Sequence, residues 1–233
     1  PTFIYQLFSD LSSTFTGSLT FESTQKLAAI TLRQTLNALG EPLYTTLPVV
    51  DLSASASNQP LVFPQIAAGG GYITQLLLIN TTSQKLAGRI SLTDSSGSPL
   101  SLILNGVSSS AFSYSLDPHG TYRAEFDGPS GGATGYAVVT PDQGTSAPAG
   151  SAVFQFKQNN SLVTEAGVAA TDATTAARIF VDSAGSYTGV AIANPSDQST
   201  TVSFYLLSRE GSSLQSTSRT LAAKGHLAIF AHE

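Results

Sequence analysis

The chain has 233 residues, of which 41% are hydrophobic and only 11% are charged, and its formal net charge is −5. It contains no Cys, Met or Trp, whereas 33 Ser and 26 Thr make up about a quarter of it. Ten scattered Lys and Arg residues form no basic patch, which argues against a nucleic-acid partner, and so low a charge excludes a coiled coil. No run of about 18 apolar residues predicts a membrane span, and the lack of Cys removes disulfides and thiolate chemistry.

In chain order, the apolar residues recur with a period of two and predict about seventeen short strands. The first, TFIYQLF at 2–8, has apolar residues on both faces. GSLTFES at 17–23 places Leu19 and Phe21 on one face, and residues 28–35 are predicted as a strand rather than a helix. Later runs have the same alternation: AFSYSL at 111–116, SAVFQFKQ at 151–158, TVSFYLLS at 201–208 and HLAIFAHE at 226–233.

Turn sequences rich in Gly, Asn, Asp and Pro separate these runs, at a spacing typical of antiparallel β-sandwiches. The predicted fold is therefore all-β, with two immunoglobulin-like sandwich units that arise from an internal repeat. One unit is completed either within the chain or by a neighbouring subunit.

The repeat is clearest between residues 80–100 and 194–214. Without a gap, Asn80 coincides with Asn194, and the matching also pairs Gln84 with Gln198 and Leu92 with Leu206. We call this half-unit A and place it at about 61–120 and 177–227.

A weaker match joins FTGSLTFESTQ at 15–25 to ATGYAVVTPDQ at 133–143. Each segment continues into a strand, LAAITLRQT or GSAVFQFKQ, and then into a short strand, LYTTLP or VTEAGVAA. We call this half-unit B and place it at about 3–50 and 121–170.

Linker-like segments at 51–60 and 170–177 each follow a half-unit B and precede a half-unit A. Because linkers separate domains, the natural domain is a half-unit A followed by a half-unit B. Only 61–168 is such a complete sandwich. Residues 1–50 (the N-terminal half B) and 177–233 (the C-terminal half A) are left at opposite ends of the chain.

An isolated half sandwich exposes an apolar face and unpaired strand edges. Two arrangements would cover them: the halves meet within one chain, or half B of one subunit completes half A of the next, which is a head-to-tail contact. Residues 2–8 are correspondingly either a buried first strand or a strand donated to a neighbour. The candidate interface residues are Phe3, Ile4, Tyr5, Leu7, Phe8, Leu227, Ile229 and Phe230.

The sequence contains no convincing catalytic motif. GPSGG at 128–132 matches a nucleophile elbow formally but lies between predicted strands, with no helix after it. His226 and His232 would be ~20 Å apart on one strand, which is too far for one metal ion. We expect no enzyme activity, cofactor or metal.

The N-glycosylation sequons at Asn80 and Asn159 are candidate glycosylation sites, although the match of Asn80 to Asn194 suggests that Asn80 has a role in a turn.

Several blocks of the chain resemble tandem β-domains of large secreted bacterial surface proteins, which have no assigned activity. These blocks are FPQIAAGGGYITQLLLIN, TGYAVVTPDQGTSAPAGSAVFQF, TEAGVAATDATTAARIFVD and TGVAIANPSD. In such proteins, a segment like HLAIFAHE would run straight on into one like LFSDLSSTFTGSL.

The expected function is that of a secreted structural subunit on a bacterial cell surface. It would form a pilus-like filament with copies of itself by head-to-tail complementation, and glycans are further candidate partners. The alternative is a monomeric adhesin, spacer or carbohydrate-binding module.

Overall fold

The computed structural model describes residues 3–182 and 184–230. Within them lie one helical turn (α1) and sixteen strands, which follow one another along the chain. Their bounds are α1 Ile4–Leu7, β1 Thr31–Leu36, β2 Pro42–Leu47, β3 Leu61–Ala68, β4 Tyr72–Ile79, β5 Leu86–Asp94, β6 Leu102–Leu104, β7 Val107–Ser109, β8 Ala111–Leu116, β9 Thr121–Phe126, β10 Ala133–Pro141, β11 Ala149–Gln158, β12 Ser161–Ala169, β13 Gly189–Ala193, β14 Thr200–Leu207, β15 Ser213–Leu221 and β16 His226–Phe230.

Residues 61–169 form a β-sandwich of two four-stranded antiparallel sheets. The first sheet has the strand order β3-β10-β5-β8, and the second has the order β12-β11-β4-β9. The prediction of an all-β antiparallel sandwich fold is confirmed.

The hydrophobic core fills the space between these two sheets. Ile90 and Leu92 on β5 face Leu76 and Leu78 from β4 within a single cluster, and each is at most 2% exposed. These residues are spaced two apart because successive side chains of a strand point to opposite faces. The period-two pattern in the sequence therefore marks the inner face of each sheet.

A glycine turn, Gly69–Gly71, joins β3 to β4. All three residues have positive φ, between 60° and 95°, which side chains other than glycine rarely adopt. A Cβ on Gly69 would also collide with the carbonyl oxygen of Pro129. The AAGGGY segment therefore serves a tight turn at one end of the sandwich.

The terminal halves form only separate two-stranded sheets. In half B, β1 pairs with β2; in half A, β13 pairs with β16 and β14 with β15. Among the described strands, no sheet joins half B to half A.

The single chain does not form the predicted strand over 3–8, the described part of that segment, and residue 2 lies outside the described residues. Residues Ile4–Leu7 form one helical turn, closed by the Phe8 amide donating to the Ile4 carbonyl at 3.0 Å. Residues 17–23 are not in a strand either, and the strand expected at 28–35 begins at Thr31. Strands need a neighbouring backbone, and residues 3–30 have none in this chain's described sheets.

Candidate assembly interface

The large apolar side chains that remain exposed are concentrated in the two terminal halves. Ile30 is 82% exposed and Phe180 is 85% exposed, whereas core residues of the sandwich are close to zero. In half B the exposed set is Phe3, Ile4, Tyr5, Leu7, Phe8, Phe15, Leu19, Phe21, Leu27, Ile30, Leu32, Leu36, Leu39, Tyr44 and Val49. In half A it is Ile179, Phe180, Val181, Tyr187, Tyr205, Leu206, Leu214 and Phe230. Both halves therefore expose large apolar side chains, more than the sandwich between them does.

Half A has the same pairings as its counterpart in the sandwich. The β13–β16 pair corresponds to β4–β9, and the β14–β15 pair corresponds to β5–β8. In the sandwich, β4 is also flanked by β11, and β5 by β10. Among the described strands, β13 and β14 have no such second neighbour. The described strands of half A therefore repeat the pairings of half-unit A in the sandwich, without the neighbours that β10 and β11 supply there.

The side of β14 that bears Phe204, which is half-buried, and Leu206, which is exposed, corresponds to the core side of β5. In the repeat, Ile90 matches Phe204, and Leu92 matches Leu206. Leu92 is 2% exposed in the core, whereas Leu206 is 43% exposed. The same position in the repeat is thus buried in one copy and open in the other.

An asparagine-centred turn is built identically in both copies of half A. The Asn80 side-chain amide donates to the carbonyls of Gln84 at 2.6 Å and Asp117 at 2.9 Å. Asn194 donates likewise to Gln198 at 2.7 Å and Ala222 at 2.8 Å.

Asn80 is consequently unsuitable as a glycosylation site in the folded chain. Its side chain is 1% exposed, and a glycan would replace an amide hydrogen that the turn uses. Asn159 differs: it lies exposed, with φ of 49°, in the two-residue turn between β11 and β12. Its modification stays a prediction.

Half B docks on the outer face of the second sheet through β1 and β2. The Arg33 guanidinium donates to Gln75 at 3.2 Å and lies 3.8 Å from the Glu165 carboxylate, whose side chain is fully buried. Thr35 donates to the same carboxylate at 3.0 Å, and the Gly167 amide donates to Thr45 Oγ1 at 2.6 Å.

The opposite face of the β1–β2 hairpin is apolar and open. Leu32, Leu36 and Tyr44 alternate with the residues that contact the second sheet, and each is more than half exposed. Half B therefore contacts its own sandwich through Arg33, Thr35 and Thr45, with Leu43 and Leu47 on the same side, and leaves Leu32, Leu36 and Tyr44 exposed on the other side.

Half A docks on the first sheet through the start of β16. The His226 ring is centred 6.2 Å from the ring of Tyr136, and its Nδ1 lies 3.2 Å from Ser95 Oγ. Burial at this contact lowers the pKa of His226 below its ordinary value of 6.5. The two halves thus dock on different sheets of the same sandwich.

The structure does not bring together the two predicted groups of interface residues. Phe3 and Tyr5 stack with ring centroids 5.5 Å apart, and all five residues from Phe3 to Phe8 in the predicted set are exposed. Leu227 and Ile229 are half-buried, and Phe230 is 47% exposed, on the strand paired with β13. No described strand pairing joins the two groups.

The predicted set omitted the inner face of β14 and the apolar residues of 15–30. The repeat contained the signal for both, because Leu206 aligns with Leu92 and segment 15–25 aligns with β10.

A second surface lies at the glycine-turn end of the sandwich. The rings of Tyr72 and Phe156 are centred 4.7 Å apart, and Tyr72 is 48% exposed. Tyr72 borders an open concavity of about 410 Å³, which Asp127, Lys157 and Asn160 also line.

Within residues 3–182 and 184–230, no group of three His, Cys, Asp or Glu side chains is placed to hold a metal ion. His232 lies outside the described residues. The one helical turn described is too short to cross a bilayer.

Comparison of the chain with protein-family models, with curated proteins and with solved structures finds no match.

Proposed function

We propose that this protein is a structural subunit of an extracellular bacterial filament. Half B of one subunit completes half A of the next, so that every joint between subunits is a sandwich shared by two chains. A contact of this kind is head-to-tail, and it propagates unless it closes into a ring.

The observation that carries the proposal is the open strand pair in half A. Leu206 is 43% exposed where its repeat counterpart is buried, and β13 and β14 each lack a neighbour that the sandwich supplies from half-unit B. Within one chain, half B is docked on the other sheet through Arg33 and Thr45. Pairing between chains would supply the missing strands from a second copy of the chain.

An extracellular location is supported by the composition of the surface. Ser and Thr are abundant and charged residues scarce, and blocks of the sequence resemble domains of secreted bacterial surface proteins. Residues Phe3–Phe8 are proposed to extend and contact the neighbour's C-terminal strand, which includes Leu227, Ile229 and Phe230.

Negative-stain microscopy and light scattering of the purified full chain test the proposal. We expect filaments for the parent protein and for the control Val107→Lys, which alters an exposed side chain of the sandwich. Leu206→Lys should stay monomeric, because a lysine there would be buried unpaired in the joint. Dispersed monomers of the parent protein at high concentration would refute the filament.

The alternative is a monomeric adhesin, spacer or carbohydrate-binding module. The observation that favours sugar binding is the half-exposed Tyr72 ring beside Lys157 and Asn160. Aromatic faces of this kind suit stacking on sugar rings. Glycan-array binding that is lost in Tyr72→Ala, by a protein that stays monomeric, would favour this alternative.

A further inference from the structure

We infer that residues 15–25 of one subunit form the strand beside β14 of the next, with Phe21 opposite Phe204. This inference rests on the proposed function, and it names the surface and the register that join two copies of the chain.

The template is the pairing of β10 with β5 inside the sandwich. There Gly135 lies opposite Asp94, Ala137 opposite Leu92 and Val139 opposite Ile90. Ala137, Val139, Leu92 and Ile90 are all core residues. The strand from half-unit B thus places alternate small apolar residues against large ones of half-unit A.

Transferring this register to the terminal halves uses only the two repeat alignments. Gly135 aligns with Gly17, and Asp94 aligns with Ser208. The register then places Leu19 opposite Leu206 and Phe21 opposite Phe204 of the next subunit. All four side chains fall on the inner face, where the sandwich has its core.

The outward side of the same strand is polar. Ser18, Thr20 and Glu22 alternate with the apolar residues and would lie opposite Leu207, Tyr205 and Ser203. A slip by one residue would reverse both faces, turning Leu19 and Phe21 to solvent and Glu22 into the core. The inward and outward pattern therefore favours this register over its immediate neighbours.

Residues 15–25 are available for this pairing. They belong to no described strand or helix, and Phe15, Leu19 and Phe21 are about half exposed. β14 pairs with β15 on one edge, and none of the described strands lies on its other edge.

The glycine at position 17, which the alignment matches to Gly135, has a physical role in this register. A Cβ on Gly135 would collide with the carbonyl oxygen of Thr93, so β10 needs glycine where it approaches β5. Around Gly17, the three nearest atoms to such a Cβ all belong to the ring of Phe15, which can rotate away. The chain thus has a glycine at 17 without a backbone contact of its own, and the proposed strand supplies one.

Cysteine cross-linking tests this register, because the native chain has no thiols. The matched pair is Thr20→Cys with Tyr205→Cys, on the outer face, where directly opposite Cβ atoms lie ~5 Å apart and can form a disulfide after a small shift. The displaced control is Ser18→Cys with Ser203→Cys, on the same face but four residues out of register, or ~13 Å.

We expect the matched double variant to give a covalent ladder of multimers on a non-reducing gel after mild oxidation. The displaced control should stay monomeric on that gel, although both variants form filaments before oxidation. Mixing the two single variants of the matched pair should yield dimers of one chain with the other.

Three results would overturn the register. They are a ladder from the displaced pair, filaments without a ladder from the matched pair, and a fast-migrating monomer with an internal disulfide. The first two leave the filament itself intact. Absence of filaments in the parent protein would instead refute the proposed function.

Discussion

Phe21→Ala tests the energetic contribution of the proposed joint. The side chain is 51% exposed in the single chain, whereas its repeat counterpart Val139 is fully buried. A phenylalanine buries roughly 200 Å² in a core, so completing its burial removes ~100 Å² from water, or ~2.5 kcal/mol at ~25 cal/mol per Å². Alanine retains a small part of that, which leaves a loss of ~2 kcal/mol per joint.

This loss should raise the critical concentration for filament formation by roughly 30-fold, since each 1.4 kcal/mol is about tenfold. Pelleting over a concentration series measures it. Tyr72→Ala is the control, because Tyr72 is a similarly exposed aromatic residue on the sandwich. Circular dichroism checks that both variants keep the fold. An unchanged critical concentration for Phe21→Ala would refute the reasoning.

Two further predictions concern how each half docks on its own sandwich. Arg33→Met removes the guanidinium beside the buried Glu165 carboxylate. The amide hydrogens of β1 and β2 should then exchange faster, because the free energy that protects them from exchange falls by ~1–3 kcal/mol. Adding Glu165→Gln should restore part of it, and unchanged exchange in the single variant would contradict the docking role. Because burial lowers the pKa of His226, the undocked chain binds a proton at higher pH than the docked one. The contribution of His226 to docking is therefore present above pH 6.5 and is lost as the pH falls below it. The protection of β16 amides, measured as observed exchange relative to the intrinsic rate at each pH, should fall from about pH 7.5 to about pH 5.5, and it should fall less in His226→Gln. An equal fall in the two proteins would rule His226 out.

The sandwich was predictable because its strands find their partners within the chain. The β5 residues Ile90 and Leu92 alternate with polar residues, and the strands that pair with β5 are present in the chain. In such segments, the strand that the period-two pattern predicts is also the strand that the structure forms.

Residues 2–8 were predicted as a strand on composition, and a strand also needs a neighbouring backbone. None of the described strands provides one, so Ile4–Leu7 satisfies its groups locally as a helical turn. The sequence pattern indicates that a segment can form a strand, but pairing also needs a partner, and the described part of the single chain offers none to residues 3–8.

Asn80 shows a different limit of the sequence. A sequon specifies three residue types but not their burial, and the amide proved to be fully used by a turn. The alignment of Asn80 with Asn194, which lacks a sequon because Pro195 follows it, was the better guide.

The head-to-tail joint has a consequence for growth. A row of subunits joined as proposed has chemically different ends: one always offers a β14 edge without a neighbouring strand, and the other offers residues 15–25, which pair with no strand. Elongation at each end uses a different surface, so a cap that blocks one end leaves the other free to grow. Along the row, sandwiches made from one chain alternate with sandwiches shared by two, and tension would part the shared ones first.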